Sequence, residues 1–218
     1  MRNPIAVALA ATLALLVPAA ASADTSVSAP WSITLGVWGG VTRYDVLGLQ
    51  HGVGTIEPQD GRDLLEGNFD TWGGSAVLRL GWFDVGLLYE RTPSSGGAGS
   101  AVFTPVAGFA WNLSSMIRLD VLGELGGHQI SDIGASGSWD VTSAGTVWLP
   151  YVGVRPTLSL RLPVGPLRAI LSVAPFARWD LVKKEVTVQV TSGTTTTMNT
   201  YEAGGTTFGM VVGAGIEI

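Results

Sequence analysis

Beyond residue 30 the apolar side chains fall on alternate positions in short runs, and this period of two constrains the fold most. The first run, 31–42, sets Trp31, Ile33, Leu35, Val37 and Val41 on one face, with Ser32, Thr34, Trp38 and Thr42 on the other. The same pattern recurs about residues 72–82, 85–90, 103–111, 117–128, 148–161, 167–180 and 207–218. Eight strands, each with an oily and a polar face, are therefore expected. Past the front of the chain no apolar run is long enough to cross a bilayer as a helix. Yet the chain has 30 Gly, eight Trp and only 13% charged residues. Its mean hydropathy is +0.37. In hydrocarbon every backbone N–H and C=O must be paired, which strands achieve only by closing into a barrel.

The front end reads as a targeting segment. Arg2 precedes an apolar stretch from Ile5 to Val17, and Ala21-Ser22-Ala23 forms a small-x-small cleavage site before Asp24. Residues 1–23 are thus expected to be a signal peptide, and residues 24–218 an outer-membrane β-barrel domain. The acidic balance, −5 over the full chain, and the scattered Lys and Arg speak against nucleic acid as a partner. There is no Cys and hence no disulfide framework.

Connections alternate in length. Residues 82–84, 112–115 and 163–166 are expected as tight turns. The stretches 45–70, 92–101, 129–146 and 183–205 are longer and rich in Gly, Ser, Thr and acids. Short periplasmic turns and long outer loops are the expected asymmetry, and with eight strands both termini fall on the periplasmic side. On the apolar phase, Trp31, Trp82 and Trp111 lie at the short-turn end. Trp72, Tyr89, Phe103, Trp148, Trp179 and Phe208 lie at the long-loop end. These are two aromatic girdles, one for each membrane–water boundary. Arg43, Arg91 and Lys183 share the outward phase at the loop end, where they could meet lipopolysaccharide phosphates or simply stand in water.

On these features the mature chain resembles the small eight-stranded outer-membrane barrels of the OmpA/OmpX kind, an all-β, antiparallel, up-and-down architecture. In that family the last strand carries an alternating signal for the barrel-assembly machinery, usually ending in an aromatic. Phe208, Met210, Val212, Ala214, Ile216 and Ile218 match the alternation, with Ile as the final residue. The resemblance implies outer-membrane lipid, lipopolysaccharide and the assembly machinery as partners, a monomer, and no cofactor. Pro105, Pro150, Pro156 and Pro175 fall within strands, where each removes a ladder donor, so bulges or unpaired positions are expected there.

The polar phase carries Arg79, Arg118, Arg155, Arg161, Arg168 and Arg178 against Glu90, Asp120, Glu124, Asp180 and Glu217, with His128 near the outer end. An eight-stranded lumen is just wide enough for side chains to fill, and charges buried there need partners. Either a salt-bridged plug or a narrow, gated ion path would use this set. If Ser192-Gly193 is the turn of the final hairpin, partners have numbers that sum to 385, and Arg168 faces Glu217. The hairpin then projects beyond the membrane through residues 185–190 and 194–200, and its ladder edges could take up an extracellular partner strand.

Two further groups are weaker. Asp45, Glu57, Asp60, Asp63, Glu66 and Asp70 surround Arg62 in the first long connection. They lack the spacing of a dedicated calcium loop and read as a solvated acidic stretch. His51, expected in a loop, and His128 have no nucleophile or acid at a motif spacing. The nearest approach is His128-Gln129-Ile130-Ser131, so no enzyme and no metal site is expected. The resulting expectation is an envelope-structural or surface-interaction barrel, with a small ion or solute channel as the alternative. A lipid A-modifying enzyme is the second alternative.

Overall fold

A computed structural model describes residues 31–53, 65–93, 98–133, 140–141, 145–192 and 194–218. The segment expected as a signal peptide lies outside them, as do Glu57, Asp60, Arg62 and Asp63. The strands are β1 (Trp31–Val53), β2 (Glu66–Leu80), β3 (Phe83–Thr92), β4 (Gly99–Asn112), β5 (Ile117–Ile133), β6 (Asp140–Val141), β7 (Gly145–Val164), β8 (Leu167–Asp180), β9 (Lys184–Ser192) and β10 (Thr195–Glu217). Eight of them pair antiparallel in the order β1-β2-β3-β4-β5-β7-β8-β10, and β10 returns to pair with β1. The expected eight strands thus close into a ring with no free edge in its wall. Ile33 and Ile218 seal the seam with reciprocal backbone bonds of 3.1 and 3.0 Å.

Burial alternates with the same period as the sequence. Along β4, Val102, Thr104, Val106 and Ala110 are buried, while Phe103, Phe109 and Trp111 are exposed. Inward positions too crowded for a side chain carry glycine. A Cβ on Gly108 would fall 2.0 Å from the Val121 carbonyl oxygen.

Some sequence expectations need correction. The turn between β2 and β3 is Gly81-Trp82 and not 82–84: Leu80 pairs with Phe83, and Gly81 supplies φ +65°. Asp84 therefore belongs to β3 and points into the lumen, buried. His51 is not in a loop, since β1 runs on to Val53 and pairs His51 with Thr200 of β10. The acidic stretch is shortened in the same way, because Asp45 lies in β1 and Glu66 and Asp70 lie in β2.

The strand prolines interrupt ladders without shifting them. Pairing of β4 with β5 stops at Phe103–Gly127 and resumes in the same register at Val106–Glu124, leaving Thr104 and Pro105 out. Between β7 and β8 it stops at Val154–Ala177 and resumes at Leu158–Val173. Pro156 and Pro175 would oppose each other inside that gap, and neither has an N–H to offer. Each still pairs on its other side, Pro156 with Val121 and Pro175 with Met210. Bulges arise elsewhere, in β1 against β10 and between Ile130 and Ile133 of β5.

The final hairpin follows the expected register in the barrel wall, where Phe208 faces Ala177 and Glu217 faces Arg168. Beyond it the sum rises to 387, with Ser192 facing Thr195. Four residues, 180–183, stand opposite two, 204–205, and account for the slip of two. The interruption is held by Leu181 N to the Pro150 carbonyl at 2.8 Å and by Gly205 N to Asp180 Oδ2 at 3.1 Å. The outer half of β10 lies between β1 and β9, so the ribbon is not free on both sides.

Candidate functional site

The interior is built in three polar levels beneath an apolar cap. Nearest the short turns, Glu217 accepts from Arg118 Nη1 at 2.6 Å and from Arg168 Nη1 at 2.7 Å, and it also pairs with Arg161. Arg118 reaches back along its own strand to Asp120, 3.0 Å away. Arg161 donates to Asn112 Oδ1 at 3.1 Å. Arg79 donates to the Gly81 carbonyl at 2.8 Å and has no carboxylate within ion-pair reach among the described residues.

The middle level is a closed square. Arg155 bonds Glu90 at 2.7 Å and Glu124 at 2.8 Å, while Arg178 bonds both carboxylates at 2.6 Å. Two charges of each sign cancel, and Tyr151 donates to Glu124 at 3.2 Å. The guanidinium groups also stack on rings. Arg155 lies 4.6 Å from the Phe176 centroid and 5.2 Å from Trp38, and Arg178 lies 4.3 Å from Phe176. Such contacts offset part of the desolvation that buried guanidinium groups suffer. A cavity of about 80 Å³ separates this level from the one below, lined among others by Trp38, Asp84, Arg118, Asp120 and Arg155.

At the third level His128 bridges two residues distant in sequence. Its Nε2 lies 2.9 Å from Ser100 Oγ, and its Nδ1 lies 3.0 Å from Asp180 Oδ1. The Tyr44 ring stacks on the imidazole at 6.3 Å, and the Tyr44 hydroxyl bonds Thr92 Oγ1 at 2.8 Å. Above them Tyr44, Val46, Leu47, Leu65, Ile130, Ile133, Leu149, Val188 and Tyr201 form one buried cluster with their neighbours. This apolar cap closes the loop end of the lumen.

All twelve lumen residues singled out in the sequence point inward. Arg79, Glu90, Arg118, Asp120, Glu124, His128, Arg155, Arg161, Arg178 and Glu217 are buried; Arg168 is half-exposed, and the Asp180 side chain is 3% exposed. Asp84, Ser100 and Tyr44 were missed. Asp84 was hidden by a turn set too far along the chain. Ser100 and Tyr44 sit where alternation runs into stretches that resemble loops. Carrying the period of two one to three residues further in β1, β3 and β4 would have found all three.

On the outer face the nine girdle aromatics are exposed: Trp31, Trp82 and Trp111 at one end, and Trp72, Tyr89, Phe103, Trp148, Trp179 and Phe208 at the other. Phe83 and Phe109 extend the short-turn girdle, Phe109 stacking on Trp82 at 5.1 Å and 12°. Arg43, Arg91 and Lys183 are exposed at the loop end. Lys183 pairs with Glu202 at 2.5 Å, whereas Arg43 and Arg91 have no ion pair among the described residues. No metal-ligand cluster occurs among the described residues.

No protein-family model matches the chain. No curated protein matches it either. Among solved structures, it is similar to Neisserial surface protein A (NspA) at 12% identity and TM-score 0.49, over 87% of this chain and 97% of that one. It is also similar to the N-terminal β-barrel domain of OprF from Pseudomonas aeruginosa, at 12% identity and TM-score 0.41, over 86% and 97% of the two chains. These are likenesses of strand arrangement. The eight-stranded ring itself rests on this chain's own ladders.

Proposed function

We propose that this chain is an integral outer-membrane β-barrel with a plugged lumen, serving envelope structure or surface contact through its loop end. One observation carries the reading: an outward face of exposed apolar side chains bounded by two aromatic girdles, around an interior of paired charges. Phe103 and Trp111, eight residues apart within β4, span about 27 Å of strand. A tilt of about 40° reduces that to roughly 20 Å, inside the apolar band of about 25 Å of such barrels. Both termini then lie on the periplasmic side, and β6, β9 and the outer half of β10 stand outside. Arg43 and Arg91, without carboxylate partners among the described residues, are suited to anionic lipid headgroups. The flank of β9 beyond its two pairs with β6 is where an extracellular strand could add.

The test has two parts. The chain refolded into phospholipid vesicles should migrate faster on a gel before boiling than after. In planar bilayers it should show no steady conductance, because the square of Arg155, Arg178, Glu90 and Glu124 fills the bore. A steady current that Arg155→Ala abolishes would replace the plug with a channel.

A further inference from the structure

We propose that Ser100, His128 and Asp180 form a serine-hydrolase triad at the loop end of the lumen, acting on acyl esters. The three residues come from three strands: Ser100 is the second residue of β4, His128 lies on β5, and Asp180 ends β8. The bonds run in the order that nucleophilic catalysis requires. Ser100 Oγ meets one imidazole nitrogen at 2.9 Å, and Asp180 meets the other at 3.0 Å. The remaining Asp180 oxygen accepts the Gly205 N–H at 3.1 Å, which holds the carboxylate in plane to orient the ring.

The constellation is not a by-product of the charge plug. Glu90 and Glu124 are neutralised by Arg155 and Arg178 one level below, and Glu217 has three arginines of its own. Asp180 has no arginine or lysine within ion-pair reach among the described residues, so its one side-chain partner is the imidazole. Tyr44 packs on that imidazole, and its hydroxyl borders both Thr92 and Ser100.

Ser100 also lines a cavity of about 260 Å³ at the loop-end rim, with Tyr89, Arg91, Thr92, Gln129 and Ser131. Tyr89 and Arg91 stand on the outward phase, at the level of the outer girdle. A lipid acyl ester is the substrate class that would present itself there, and this choice rests on the membrane reading above. Ser100 is only 4% exposed, so the ester must enter past Thr92 and Gly99, which line the same cavity.

The chemistry is redox-neutral and consumes one water. Ser100 Oγ attacks the ester carbonyl carbon while His128 Nε2 takes its proton. The tetrahedral intermediate then breaks its bond to the alcohol, which leaves carrying that proton. Water attacks the acyl-serine by the same route, releasing the fatty acid and restoring the hydroxyl.

The experiment uses the full chain refolded in detergent, with an alkyl fluorophosphonate probe and p-nitrophenyl esters of short and long acids. Labelling and hydrolysis are expected in the parent chain and lost in Ser100→Ala. His128→Ala and the near-isosteric Asp180→Asn should each slow both by at least about 100-fold. The heat-dependent gel shift reports folding for every variant. A folded parent chain that is not labelled, or labelling that survives Ser100→Ala, overturns the proposal. Placement in the membrane is read separately from vesicle insertion, so loss of one reading is not mistaken for loss of the other.

Discussion

Arg178 is the most heavily engaged side chain of the interior, bonded to two carboxylates and stacked on Phe176. Removing it leaves Arg155 alone against both carboxylates, so one buried negative charge loses its counter-charge. Arg178→Met should therefore cost about 3–5 kcal/mol, visible as a lower urea midpoint for the refolded barrel. Trp38 offers a contrast, because its buried indole N–H has no hydrogen-bond partner among the described residues. Trp38→Phe keeps a ring beneath Arg155, deleting the unsatisfied donor and part of the indole. Its stability, read from the same midpoint, should stay within about 1 kcal/mol of the parent. A Trp38→Phe loss as large as that of Arg178→Met would mean that the indole size, not the guanidinium pairing, sets the stability of this level.

Among the elements, the junction between wall and ribbon is the point of strain. Gly204 adopts φ +123°, and a Cβ there would lie 2.5 Å from the Val182 carbonyl oxygen. Gly204→Val should loosen β9 and the outer half of β10, so that limited proteolysis cuts between 183 and 204 while the gel shift of the barrel survives. Uncut ribbon in that variant would show that the junction tolerates a side chain. The same junction marks where sequence legibility ends. From Trp31 to Val41 and from Phe208 to Ile218 a period of two assigns every face, because lipid on one side and packed polar groups on the other enforce it. The wall register of β8 against β10 was readable only through an offset: Ser192 faces Thr195, one residue beyond the expected turn, and a slip of two restores the sum of 385. The slip of two at 180–183 was not, because it depends on where the Leu181 and Gly205 amides find acceptors. Nor was the bridging of Ser100 and Asp180 by His128, since ring closure rather than spacing brings β4, β5 and β8 together.

For the molecule as a whole, the girdles assign depth. Trp31, Trp82 and Trp111 on one side, and Trp72, Trp148 and Trp179 on the other, should be quenched most strongly by lipids brominated near the headgroup. Half-buried Trp38, on the lumen face of the wall, should be quenched least. Equal quenching with bromines at mid-chain would contradict the two-girdle placement. The interior then needs no continuous bore: two charge levels and an apolar cap lie in series, and the cavity between the lower two is only about 80 Å³.

The seam that joins β1 to β10 holds eighteen residue pairs, and both chain ends leave it on the same side. A pull applied between those ends therefore loads the bonds in succession, as a zipper does, and not all together in shear. The longest ladder in the barrel is for that reason easily opened by tension at its termini. Heat and denaturant act on all eighteen pairs of that seam without a preferred end, so its mechanical and thermal resistance are set by different lengths of the same ladder.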